Sequence, residues 1–265
     1  MDAPELIAGV RAGDRRALAR SISHVEADTV TGRALLAGLY PHTGRAQTIG
    51  VTGSAGVGKS TFVAALAREQ RRRGHTVGIV AVDPSSPFSN GAILGDRIRM
   101  QDLTSDGGVF MRSMASRGNL GGLSEMATGV VDLMDAAGFD VVILETVGAG
   151  QDEVEVATAT GTTILVTTPA GGDDIQSMKA GLMEIAEIMV VNKADIAGAD
   201  TAVMQLRCPR DCEHAHLGTA HPQDHGARGQ RPRCGHRRDR SPPGFSIRGS
   251  AHAEESVGRW RRARS

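Results

Sequence analysis

Cysteine is missing from the first 207 residues; all three lie later, at Cys208, Cys212 and Cys234. The body of the chain therefore has no disulfide framework, and a Cys-x-x-Cys metal site there is excluded. Aromatic residues make up 3% of the 265 residues, so a core must rest on Val, Ile, Leu, Met and Ala. No long apolar run is present, which argues against a membrane-spanning helix. The opening MDAPELIAGVRAGDRR lacks the basic start and apolar block of a signal peptide, so a cytoplasmic location is expected. Net charge is zero, which gives no global attraction to nucleic acid or to a membrane surface.

That zero hides an asymmetry. Residues 208–265 carry twelve Arg, no Lys and six acids, together with five of the ten Pro and six of the nine His. Large apolar residues are rare there and follow no period. Such a stretch buries too little apolar surface to offset its ordering entropy, which predicts a disordered tail over 206–265. Its last residues, RWRRARS, read as a solvated end, and a nucleic-acid arm is the alternative. Cys208, Cys212, His214 and His216 are zinc-ligand types, but their spacing is irregular and no metal site is expected from them.

Residues 4–39 place Leu6, Ile7, Val10, Leu18 and Ile22 at helical spacing, and TGRALLAGLY stops at Pro41; a helical arm over 1–45 is expected. From 46 to 205 strands and helices alternate. QTIGVTG, HTVGIVAVD, GVFMRSM, FDVVILET, TTILVTT and EIMVV read as strands. STFVAALAREQRRRG and LSEMATGVVDLMDAAG read as helices stopped by Gly74 and Gly138, and DDIQSMKAGLMEIA as a third. This pattern predicts an α/β fold, a doubly wound, mostly parallel sheet flanked by helices. Ligands in such sheets bind beyond the carboxyl ends of the strands. The glycine loop at 53–60, VDPSS, ETVG and NKAD all fall at those ends.

Gly53-Ser54-Ala55-Gly56-Val57-Gly58-Lys59-Ser60 matches G-x-x-x-x-G-K-[ST] in full. The glycines let the backbone curl so that successive N–H groups form an anion nest, completed by the helix start at Thr61. Lys59 would reach the β- and γ-phosphates and Ser60 would place its hydroxyl on Mg²⁺. The plain alternative is a glycine turn with a surface lysine. Asn192-Lys193-Ala194-Asp195 bears on the base. Guanine offers two adjacent donors, N1–H and the N2 amino group, and the Asp195 carboxylate would accept both. Adenine would set its N1 acceptor against that carboxylate. A site built to pair polar groups rejects the analogue that leaves them unpaired. Asn192 would tie the loop, and the Lys193 stem would cover the ring face. Glu145 ends an apolar strand where a Mg²⁺-bound water is held, and Gly148 would offer an N–H to the γ-phosphate.

The long 81–100 segment carries Asp83 and Asp96. Asp83 ends a strand and would orient the attacking water or join the metal shell. Asp96 either joins that shell or caps the following helix. The segment 168–181, with Asp173, Asp174 and Lys179, is either a mobile reporter of nucleotide state or a loop whose acids cap a helix.

Together GSAGVGKST, VDPSS, GAILGDRIRM, NLGGLSE, AAGFDVVILETVGAGQDE and NKAD resemble the MeaB-type GTPases. These are the methylmalonyl-CoA mutase-associated GTPases, formerly described as arginine/ornithine transport ATPases. The resemblance runs from about residue 5 to about residue 205. It implies a P-loop GTPase with GTP/GDP and Mg²⁺, homodimeric in the family. It also implies a role in gating adenosylcobalamin delivery to methylmalonyl-CoA mutase and in protecting that enzyme. By the same resemblance Asp174 and Lys179 belong to a switch segment. After Arg207 the resemblance stops, and the abrupt change of composition is read as a reading-frame shift near codons 205–208. On that reading the sheet lacks its last strand and the guanine pocket one wall. Two rival functions stand beside this one: a metallochaperone GTPase for another metal enzyme, which the cysteine-free body disfavours, and an incomplete product without activity.

Overall fold

The computed structural model describes residues 1–84, 100–116, 122–146, 158–169, 182–212 and 246–249. Three helices open the chain: α1 (Ala3–Arg11), α2 (Arg15–Glu26) and α3 (Val30–Leu39), followed by a single 3₁₀ turn, Tyr40–His42. Each has a start written into the sequence. Asp2 and Glu5 form a reciprocal capping box on α1, with Pro4 in its first turn. Asp14 accepts from Arg16 N, and Thr29 from Gly32 N.

The alternating part follows as β1 (Gln47–Thr52), α4 (Lys59–Arg72), β2 (Val77–Pro84), the one-turn α5 (Gln101–Thr104) and β3 (Val109–Ser116). It continues with α6 (Gly122–Ala136), β4 (Val141–Thr146), β5 (Thr162–Thr167), the short α7 (Leu182–Ile185), β6 (Ile188–Val191) and α8 (Ala199–Cys212). Gly74 and Gly138, at φ +85° and +89°, lie just past α4 and α6, as the sequence leads one to expect. The strand order is β3-β2-β4-β1-β5-β6, all parallel, with β7 (Ser246–Gly249) antiparallel on the outer edge of β6. The fold is the α/β sheet of the P-loop class.

Side-chain alternation divides the core in two. Ile49, Val51, Ile79, Val141 and Ile143 point to one face and pack with Val63, Ala64 and Ala67 of α4. Val80, Val82, Val142 and Leu144 point to the other and meet Val130, Leu133 and Met134 of α6. Leu6, Leu18, Ile22 and Leu35 of α1–α3 belong to that same cluster and are 0–2% exposed. Each such leucine contributes about 1.5–3 kcal/mol by burial. The first 45 residues therefore share the apolar cluster that lies between α6 and the sheet. Asp135 on α6 pins their exit: its carboxylate accepts the N–H groups of Gly44, Arg45 and Ala46 just before β1. Arg15 adds a second tie, donating to the carbonyls of Gly107 and Val109 at the start of the edge strand β3.

Two expectations change at the C-terminal end. Helix α8 crosses the boundary set at 205, and β7 comes from the stretch read as patternless. The sheet thus has a strand outside β6, where the sequence reading left a gap. A four-residue edge strand is held by main-chain hydrogen bonds that almost any side chains permit, so composition conceals it. Among the described residues no helix is long and apolar enough to cross a membrane.

An ion network closes the amino-terminal ends of β2, β3 and β4, away from the loops that follow the strands. Arg71 of α4 donates to both carboxylate oxygens of Asp106 at 2.9 Å and to the carbonyl of His75. Asp140 accepts from the N–H and the hydroxyl of Thr76. The Arg71 guanidinium holds the Asp106 carboxyl below the usual carboxylate range, and the Thr76 donors do the same for Asp140. A depressed folded-state pKa means stability that is present above the ordinary carboxylate value and lost as pH falls through the folded value. The expected result is a fall in unfolding free energy below about pH 4. Urea denaturation at pH 7 and pH 3.5 checks it, and the Asp106→Asn/Asp140→Asn variant should show a smaller difference between the two.

Candidate functional site

Strand β1 ends at Thr52, and the chain turns through Gly53–Gly58 into α4. Two glycines are required by geometry. Gly53 has φ +138°, and a Cβ there would overlap the Val166 carbonyl oxygen. Gly58 has φ +93°, and a Cβ there would strike the Asn192 side-chain nitrogen. Val57 is buried among the residues of the α4 face and anchors the middle of the loop. Beside the loop lies a cavity of about 430 Å³. Its walls are Ala55, Gly56 and Gly58, then Lys59, Ser60 and Thr61 of the first turn of α4. Ala81 and Val82 of β2, Glu145 and Thr146 of β4, and Lys193 complete them. The first N–H groups of a helix have no intrahelical acceptor and carry its positive end, so this wall favours an anion.

Lys59 is 6% exposed, and its Nζ donates to the carbonyls of Gly53 at 2.6 Å and Ser54 at 2.9 Å. The ammonium is thus curled inside its own loop. The Ser60 hydroxyl donates to Glu145 Oε1 at 2.7 Å. Glu145 is 4% exposed and stands in register with Val51 of β1 and Ala81 of β2, so the sheet itself brings it to the loop. A hydroxyl and a carboxylate side by side on a cavity wall are hard oxygen donors. They fit Mg²⁺, which takes one or two protein oxygens and completes its shell with phosphate and water.

The loop after β6 docks onto the phosphate loop. Asn192 Nδ2 donates to the Val57 carbonyl at 2.8 Å, and Lys193 Nζ to the Gly56 carbonyl at 3.0 Å. The Asn192 N–H is held by Thr167 O at the end of β5. Lys193 has φ +54°, which turns the chain so that Asp195 stands exposed beyond it. Fourteen positions singled out from the sequence therefore converge at one end of the sheet: 53–61, Glu145, Asn192, Lys193, Asp195 and the backbone of Asp83. The last sits at the carboxyl end of β2, paired with Ala115 and one residue past Val82 on the cavity wall. Asp96, Gly148, Asp173, Asp174 and Lys179 lie outside the described residues, as do His214, His216 and Cys234. No group of three or more His, Cys, Asp or Glu that could hold a metal ion occurs among the described residues.

Sequence reasoning passed over Thr146 and Val82 on the wall, and the lysine-to-Gly56 tie. Thr146 had a signal, since it directly follows Glu145 at the end of an apolar strand. The tie had none, because it joins residues 137 apart in the chain.

Comparisons with known proteins agree with this geometry. The chain is 52% identical over 209 residues to a protein of Pyrococcus horikoshii named as a candidate GTPase, a match covering 79% of this chain and 66% of that one. It is 45% identical over 195 residues to the GTPase ArgK of Escherichia coli, covering 72% and 59%. Among solved structures, a LAO/AO transport system kinase superposes with a TM-score of 0.60 at 34% identity, covering 77% of this chain and 60% of that one. The chain thus spans about two thirds or less of the length of these relatives. A family model matches residues 18–226, past the limit near 205 at which the sequence resemblance was placed. That match spans most of the chain and takes in the phosphate loop, the Glu145 strand and the Asn192–Asp195 loop, and the chain belongs to the MeaB family of methylmalonyl Co-A mutase-associated GTPases.

Proposed function

We propose that this chain binds GTP and hydrolyses it to GDP and phosphate at the cavity between the phosphate loop and Glu145. One observation carries the reading: Asn192 and Lys193 are hydrogen-bonded directly to the phosphate loop. A phosphate seat and a base seat fastened to each other suit one molecule that carries both. Asp195, exposed at the far side of that docked loop, is the group that selects guanine.

In this reading an arriving triphosphate draws the Lys59 ammonium away from the Gly53 and Ser54 carbonyls. Lys59 and the loop N–H groups then bear the charge on the transferred phosphoryl group. Water attacks the γ-phosphorus in line, and the bridging oxygen leaves with GDP. Asp83 orients that water. Magnesium, when bound, supplies neutralisation of the phosphate oxygens. Ser60 keeps its proton on Glu145 and so presents its lone pairs to the cavity, where it would bind the metal, and Glu145 would hold a water of its shell. Asp96, outside the described residues, would be a further ligand of that shell. Residues 46–205 carry the catalytic residues, the segment 1–45 supports them, and 206–265 contributes none, although β7 within it pairs with β6.

The finer role follows the family's description. We assign the chain to an adenosylcobalamin-dependent methylmalonyl-CoA mutase as partner, whose cofactor loading it gates and which it protects, with a homodimer as its working form and the cytoplasm as its location. Isothermal titration of the full chain with GTP and with ATP, each with magnesium, tests the base assignment. Heat for GTP and none for ATP is expected. Equal heats, or none for either, would overturn it, the second outcome favouring an incomplete product without activity.

A further inference from the structure

Buried hydroxyls stand out at the carboxyl end of the two strands that flank the site. Thr52 of β1 is 0% exposed and Thr146 of β4 is 1% exposed. The Thr146 hydroxyl donates to the Thr52 hydroxyl at 3.4 Å. By alternation both side chains lie on the face opposite Glu145. Along β4 that face reads Val142, Leu144, Thr146, with the first two inside the apolar cluster shared with α6. The change from apolar to hydroxyl comes only at the last position, beside the cavity. Valine has the same shape and would cost less to bury, because a buried hydroxyl must find a partner. The hydroxyls therefore do something that packing alone does not need.

Their places in the chain indicate what. Thr52 is the residue before Gly53, where the phosphate loop leaves the sheet. Thr146 is the residue after Glu145. Gly53 is already pressed against Val166 of β5 on its other side. The hydroxyl pair holds the same departure point to β4. It thereby fixes the offset between the loop that carries Ser60 and the strand that carries Glu145. At 3.4 Å the bond is at the long end of the O–H···O range.

We propose that Thr52 and Thr146 are a positioning pair for the magnesium side of the site, acting through the spacing of Ser60 and Glu145. The proposal rests on the GTPase reading above. Its test is GDP affinity measured by calorimetry on the full chain, once with magnesium and once with EDTA. In Thr146→Val the tightening of GDP by magnesium should shrink by about three- to tenfold, the size of one hydrogen bond. Thr146→Ser should restore it. Thr52→Val should reproduce the loss, and the double variant should lose no more than either single one, because the two hydroxyls act as one unit. Melting temperatures accompany each variant, and should Thr146→Val fail to fold, Thr52→Val carries the test alone. A magnesium effect of wild-type size in the valine variants, or an equal loss with and without magnesium, would overturn the pair. A wild-type chain that binds no GDP would overturn the GTPase reading and the pair with it.

Discussion

Lys59→Ala should lower the rate of GTP hydrolysis by about 10²–10³-fold, the usual cost of removing one preorganised donor from a transferring group. The reason is in the resting geometry. Lys59 is 6% exposed, and its ammonium already lies between the Gly53 and Ser54 carbonyls, in the mouth of the loop that is to hold phosphate. An ammonium in water would have to shed its hydration and find its place when substrate arrives; this one needs only to exchange carbonyl oxygens for phosphate oxygens. Alanine removes the charge and also frees the two carbonyls that it gathers, so binding of GTP should weaken as well. Single-turnover release of phosphate reads the first effect and a GTP titration the second. Hydrolysis at the wild-type rate in this variant would show that the loop is not where the chemistry takes place.

Asp195→Asn should weaken GTP by about 10²-fold or more, as expected when a polar site loses its paired partner, while raising affinity for xanthosine triphosphate. Guanine carries an amino group at C2 and xanthine a carbonyl. A carboxylate accepts from the first and repels the second, whereas the asparagine amide donates to that carbonyl. Because Asp195 is exposed, the exchange should leave folding intact. Competition among GTP, xanthosine triphosphate and ATP against one labelled nucleotide reads all three affinities. If GTP affinity is unmoved, the base is chosen elsewhere; if every nucleotide weakens alike, Asp195 is holding the loop rather than reading the base.

How far these residues could be read ahead depended on range. The phosphate loop is one contiguous run whose glycines and lysine announce themselves, and the strand before it and helix after it form as the periodicity indicates. The strand-end position of Glu145 was legible for the same reason, since its apolar strand is buried along its whole length. That Glu145 meets Ser60 depends on the strand order β4-β1, which no local pattern states. The docking of Lys193 onto Gly56 and the pairing of Thr52 with Thr146 are likewise products of register. The N-terminal helices show the opposite failing. Their periodicity was plain, but periodicity marks an apolar stripe without naming what covers it, and the cover turned out to be α6 and the sheet. Strand β7 was not legible, because main-chain bonds to β6 hold it and leave no mark on composition.

The shared apolar cluster has a consequence for how the molecule is made. Leu6, Leu18 and Ile22 leave the ribosome well before α6, which packs against all three N-terminal helices. Until then three short helices stand with their oily sides open, and nascent helices of that length hold together poorly in water. Birth order and assembly order therefore run against each other in this chain, and the interval between them is when a chaperone has most reason to be present.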